Sequence, residues 1–197
     1  EVDPANLLLH RMPVRRLEGE AIRDALLVTS GRLDPTTYGP PVPIHLTDFI
    51  IGRGRPEVSG PLDGAGRRSI YVATRRNFLS TMMLAFDYPT PFSTVGRRNV
   101  TNVPAQVLTM MNDPFVHEQA DVWAKRLMHE LPNADETARV VWLFETGYCR
   151  QPSPDELRFC VETLDELRTQ YAGDAESVVW SELCHALLNS NDFIYLK

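Results

Sequence analysis

Apolar residues recur at helical spacing through most of the chain, and the pattern lapses only between about residues 31 and 103. Leu17, Ala21, Ile22, Ala25, Leu26 and Thr29 predict a helix over 17–30, with Gly31 as its C′ residue. From residue 104 the helical pattern is nearly continuous. A short helix is expected from Pro104 to near Asn112. Asp113 then reads as an N-cap and Pro114 as the first residue of the next helix, whose stripe is Phe115, Ala120, Trp123, Leu127 and Leu131. Asp135 is placed to cap a following helix, with Ala138, Val141, Trp142, Phe144 and Tyr148 inward. Ser153-Pro154-Asp155-Glu156 is a capping-box start, followed by Leu157, Cys160, Val161, Leu164, Leu167 and Tyr171. Asp174 is expected to cap the last helix, which turns Trp180, Leu183, Cys184, Leu187 and Leu188 inward and ends over 189–192. Phe193 to Leu196 are expected to run extended.

The lapse between these regions has its own character. Eight of the 15 prolines lie between Pro35 and Pro91, and Pro40-Pro41-x-Pro43 is stiff. Ile44 to Ile51 and Arg68 to Thr74 alternate well enough to suggest two strands, a hairpin with a long glycine-rich connection. Asn77 is a candidate cap for a short helix through Leu84, and Phe86 to Phe92 reads as a proline-stiffened aromatic loop. The fold expected is therefore mainly α: a C-terminal helical bundle over 104–197 packed on a proline- and arginine-rich irregular half, 1–103, that carries a small β element. These halves are expected to form one domain.

Charge changes the picture more than composition does, which at 43% hydrophobic and 23% charged residues is that of an ordinary globular protein. Residues 1–100 hold 13 arginines against 10 acids, whereas residues 101–197 hold 7 basic against 16 acidic residues. The formal net charge of −6 argues against a general nucleic-acid binder. No apolar run approaches the roughly 20 residues of a membrane-spanning helix. A chain that begins at Glu1 without an apolar leader reads as a piece of a longer protein.

Candidate chemistry is sparse. Cys149, Cys160 and Cys184 form no C-x-x-C pair or haem motif, and all three are expected as buried free thiols. His117-Glu118-Gln119-Ala120-Asp121 has Asp121 where a zinc-protease helix needs a second histidine, so a surface His–Asp pair is the plainer reading. No nucleophile elbow, phosphate loop or dinucleotide fingerprint is present. Neither a metal nor another cofactor is implied. The densest constellation of hydrogen-bonding side chains runs from Ser93 into the helix after Asp113: Arg97, Arg98, Asn99, Asn102, Gln106, Asn112 and Asp113, with Arg67 and Arg68 upstream. Arginines beside helix starts suit an oxyanion. The plainer reading has Arg97, Arg98 and Asn102 tie the loop to helix ends by buried hydrogen bonds.

These residues also carry a resemblance. Arg15-Arg16-Leu17-Glu18 through Leu26, Ser30 to Asp34, Arg67-Arg68-Ser69-Ile70-Tyr71 and Phe86-Asp87 are part of it. Arg97-Arg98, Asn102 to Gln106, Asn112 to Val116 and Leu187 to Tyr195 complete it in order. Together they resemble the C-terminal, planctomycete-type domain of unknown function of large exported bacterial proteins, some of which bear a c-type cytochrome module. The resemblance implies a periplasmic or cell-envelope setting and partner domains in a longer parent, and it implies no catalytic residues. The expected function is a non-catalytic binding or scaffolding module that takes an anionic group, a sulfated or carboxylated glycan, at the arginines. The competing expectation is part of an envelope polysaccharide hydrolase whose site other domains complete; a docking surface for an electron-transfer partner is a third.

Overall fold

The computed structural model describes residues 3–92, 94–173 and 175–196. Its architecture is mainly α with a small sheet. Strand β1 (Arg15–Arg16) leads into α1 (Gly19–Ser30), and a long irregular stretch follows. After it come α2 (Thr81–Ala85), α3 (Pro104–Asn112), α4 (Pro114–Glu130), α5 (Glu136–Tyr148), α6 (Pro154–Gln170), α7 (Glu176–Leu188) and α8 (Asn191–Ile194). Strand β2 (Tyr195–Leu196) closes the chain, antiparallel to β1, with Arg15 opposite Leu196 and Arg16 opposite Tyr195.

Local signals set most helix ends. Gly31 takes the left-handed conformation after α1 at φ 79° and donates its N–H back to Leu27 and Val28. Asp113 and Asp135 cap α4 and α5 through their carboxylates. Ser153 and Glu156 close both halves of the capping box on α6. Asp174 lies outside the described residues, and Ala175 occupies the N-cap position of α7.

One core joins the elements. The face α4 shares with α7 is the most extensive contact between helices, and α1 also packs on α4. Trp123, Trp180, Ile22, Leu26, Leu127, Leu143 and Leu164 are all fully buried there. A second, smaller cluster of Ile44, Leu46 and Phe78 lies within the irregular half, with Ile50 and Val72 against it.

Several expectations are corrected. Ile44–Ile51 and Arg68–Thr74 do not form a hairpin: Ser69–Tyr71 is a 3-10 turn, and the pairing nearby is an isolated parallel bridge from Val42, just before the first segment, to Val72. Their alternation instead buries Ile44 and Leu46 with Phe78 and packs the half-buried Val72 against them, without a ladder. The β element pairs the two ends of the chain, so only part of the expected extended C-terminus is strand; Phe193 and Ile194 belong to α8. Ser80, not Asn77, caps α2, accepting the Met83 N–H at 3.3 Å. Val140 and Leu143 are buried in α5 whereas Ala138 is exposed, because the buried face is rotated from the stripe read off the sequence. Cys160 and Cys184 are buried, but Cys149 is exposed at the left-handed C-cap of α5, and all three thiols are free.

Candidate functional site

Three polar groups stitch the stretch between α2 and α4 to β1, α2 and the start of α1. Asp87, just after α2, has a left-handed backbone at φ 63°. Its carboxylate accepts the Thr101 N–H at 2.8 Å, the Thr101 hydroxyl at 2.9 Å and Arg16 Nη2 at 2.5 Å. Gln106, buried in the first turn of α3, donates through Nε2 to the carbonyls of Ala85 at 3.1 Å and Thr101 at 3.3 Å. Arg98 holds Glu20 bidentately, at 2.9 and 2.7 Å, and Glu18 at 3.0 Å. Glu20 lies in the first turn of α1, where the helix dipole favours a carboxylate. Burial works to raise the Glu20 carboxyl, but the Arg98 fork outweighs it and holds it below the usual carboxylate range.

The other residues read as a site do not converge with these. Arg97, Asn99 and Asn102 are exposed. Asn112 is exposed and donates to Leu108 of its own helix at 2.8 Å. Arg67 stacks over the Tyr71 ring at 4.3 Å and donates to the Tyr38 carbonyl at 2.7 Å. Arg68 sits 3.4 Å from Asp24. The network also depends on Arg16, Glu18, Glu20, Asp87 and Thr101, none of which stood out as site residues. The acidic start of α1 was the available sequence signal for two of them.

Asp113 belongs to a different place. It lines a cavity of about 180 Å³ together with His45, Arg23, Leu62, Met83 and Phe115. Its Oδ1 accepts the Phe115 N–H at 2.9 Å. Burial nevertheless raises its pKa above the ordinary value, against that hydrogen bond and the nearby His45 and His117. The His45 Nδ1 meets the Gly60 carbonyl at 3.0 Å. A carbonyl only accepts, so Nδ1 carries the proton and Nε2 of the neutral ring is an acceptor. Arg23 forms part of the wall, but its terminal nitrogens are engaged: Nη1 donates to the Arg67 carbonyl and Ser69 Oγ, and Nη2 to the Asp63 carbonyl.

His117 and Asp121 do not act as a pair. The His117 ring stacks on His185 at 4.0 Å between centroids and bonds the Met111 carbonyl, while Asp121 accepts from Ser181. Among the described residues no group of three or more His, Cys, Asp or Glu is placed to hold a metal ion. Burial, and then the charge of His117, lower the pKa of His185, with the Met110 carbonyl, Glu182 and Asp121 acting the other way. A histidine whose folded pKa is depressed resists protonation only while folded. Its contribution to stability is present above its unfolded pKa of about 6.5 and is lost as pH falls through the folded value. Melting temperature is therefore expected to drop between about pH 7 and 5.5. His185→Gln should flatten that slope; an unchanged slope would remove His185 as its source.

These features define a class: a mainly helical module whose irregular half is riveted to it by arginine–carboxylate pairs. A family profile described as PSD1, protein of unknown function (DUF1553), matches residues 1–164, and the chain belongs to that family. The closing Leu187–Tyr195 segment of the resemblance lies beyond the matched residues. No curated protein and no solved structure matches the chain significantly.

Proposed function

We propose that the chain is a non-catalytic scaffolding module of a larger exported protein, docking on another domain of its parent through the outer face of α3. The observation that supports this is an apolar surface on the very stretch that is richest in polar side chains. Val103, Val107, Leu108 and Met111 are 41, 55, 58 and 50% exposed, and Val100 just before them is 70% exposed. Positions 103, 107 and 111 follow one another at i, i+4, and 104 and 108 form the adjacent row, so the patch is continuous along the helix. Contiguous apolar surface on a folded protein commonly marks an interaction site, and exposed Asn99, Asn102 and Arg97 supply a polar rim.

Arg97 is the guanidinium in this stretch left for an anion, since Glu18 and Glu20 occupy Arg98. An acidic group of the partner surface, or a sulfated or carboxylated glycan, would pair with it. The paired substitution Val107→Asp with Leu108→Asp is expected to weaken association with the remainder of the parent protein at least roughly 10-fold, as loss of an apolar anchor does. Both side chains are exposed, so melting should stay nearly unchanged. Association unaffected by the substitutions would end the reading. Titration with sulfated oligosaccharides tests the anion: Arg97→Ala should lose the binding, and equal or absent binding in both proteins rejects it.

The alternative, a portion of an envelope polysaccharide hydrolase, is favoured by one observation. Asp113, with its raised pKa, and His45 line the same cavity, the pairing an acid–base site requires. Arg98 is not part of that cavity lining. Release of reducing ends by the intact parent, abolished by Asp113→Asn, would select this alternative.

A further inference from the structure

The cavity beside Asp113 has a chemistry of its own, separate from the docking face of α3. Its volume of about 180 Å³ exceeds the roughly 150 Å³ at which an apolar cavity admits benzene. Ile44, Leu62, Met82, Met83 and Phe115 give it a mostly apolar wall. Two of these are methionines, whose unbranched thioethers adjust to the shape of what they enclose.

The polar groups on the wall are unequal in kind. Asp113 commits Oδ1 to its own helix, and Oδ2 accepts no hydrogen bond among the described residues. The His45 ring has its proton on Nδ1 toward Gly60, which leaves Nε2 as a second acceptor. Arg23 is the natural donor, but three of its five N–H groups are spent on the Asp63 and Arg67 carbonyls and Ser69 Oγ, which fix its guanidinium against the 63–69 loop. Ser80 accepts the Met83 N–H as a helix cap and can turn its own proton either way. The acceptors left over on the wall are thus Asp113 Oδ2 and His45 Nε2, beside the hydroxyls of Thr47, Ser80 and Thr81. The Asp113–His45 pair favours a ligand head that donates, and a carboxylate placed there would face Asp113 with like charge and no proton between them.

We propose that this cavity binds a compact, mainly apolar molecule of about 6–10 non-hydrogen atoms carrying one hydroxyl or amine head, seated with that head between Asp113 and His45. The apolar body displaces no bonded partner from the wall. An amine head can donate to both Oδ2 and Nε2, and a hydroxyl head gives its one proton to one of them and accepts with its lone pairs.

Protein-observed NMR titrations with benzyl alcohol, benzylamine, toluene and benzoate test the proposal. Benzyl alcohol and benzylamine are expected to saturate and to shift the amides of Gly60, Met83 and Phe115. Toluene and benzoate should bind at least roughly 10-fold more weakly, the cost of leaving the acceptors unpaired or repelled. Asp113→Asn keeps a good N-cap on α4, so the fold persists while benzylamine affinity falls at least about 10-fold. Ile50→Trp, at the half-buried rim, should block both ligands without touching the acceptors. Toluene or benzoate binding as well as benzyl alcohol, wild-type benzylamine affinity in Asp113→Asn, or no shift at the three amides with any probe would overturn it.

Discussion

Replacing Arg23 by alanine is expected to destabilise the protein by about 3–5 kcal/mol, the usual result of removing one partner from a buried, hydrogen-bonded charge cluster. The Arg23 side chain is 6% exposed and projects from α1 into the irregular half. It meets the Asp63 carbonyl at 2.7 Å, the Arg67 carbonyl at 2.9 Å and Ser69 Oγ at 3.1 Å, and lies 3.5 Å from Asp24. The chain closes over it so tightly that a Cβ on Gly64, already at φ +61°, would stand 2.4 Å from Nη2. Alanine would leave two carbonyls without their donor and Asp24 with Arg68 as its remaining cationic neighbour. Desolvation draws the Arg23 pKa down while Asp24 on α1 and Asp63 on the loop pull it up, so the two acids offset part of the cost of burying its charge. Urea unfolding followed by circular dichroism measures the loss, with Arg23→Met as the variant that keeps volume but not charge. A change below about 1 kcal/mol would show that the 63–69 loop is held by other means, since that is the range of an exposed pair.

The second large effect is expected in the bundle. Trp123→Ala should cost about 3–5 kcal/mol, the range for removing a buried aromatic ring. Trp123 is fully buried and donates Nε1–H to Thr146 Oγ1 at 3.2 Å. Its ring edge fills the space beside Gly147, where an added Cβ would stand 3.0 Å away. Alanine therefore opens a void between α4 and α5 in a core that has little room to collapse. Trp123→Phe keeps much of the ring and should cost distinctly less. Equal losses for both variants would assign the effect to the indole hydrogen bond rather than to packing.

The sites of these two effects differ in how far the sequence foretold them. The Trp123 stripe is periodic and its helix is bounded by Asp113-Pro114, so its burial could be read along the chain. The importance of Arg23 could not, because its partners lie 40–46 residues away on a loop built of short 3-10 turns. The candidate site divides in the same way. Asp113 as an N-cap and Gln106 in the first turn of α3 follow from neighbours within four residues. That Asp113 also lines a cavity with His45 follows only from the folding of the 43–64 loop onto α2 and α4. The hairpin expectation failed because alternation reports burial on one side, and a loop covering Phe78 produces the same alternation as a strand does.

By itself the sequence determined where most helices begin and end and which stripes of α4, α6 and α7 turn inward. Caps, C′ glycine and side-chain periodicity are satisfied within one or two turns of the chain, so they are encoded locally. The tertiary structure alone decided what the arginines do. Arg98 bonds Glu20 across 78 residues, Arg16 bonds Asp87 across 71, and β1 finds β2 at the opposite end of the chain. A long guanidinium side chain takes whichever carboxylate the packing brings within reach, and no spacing in the sequence specifies that neighbour.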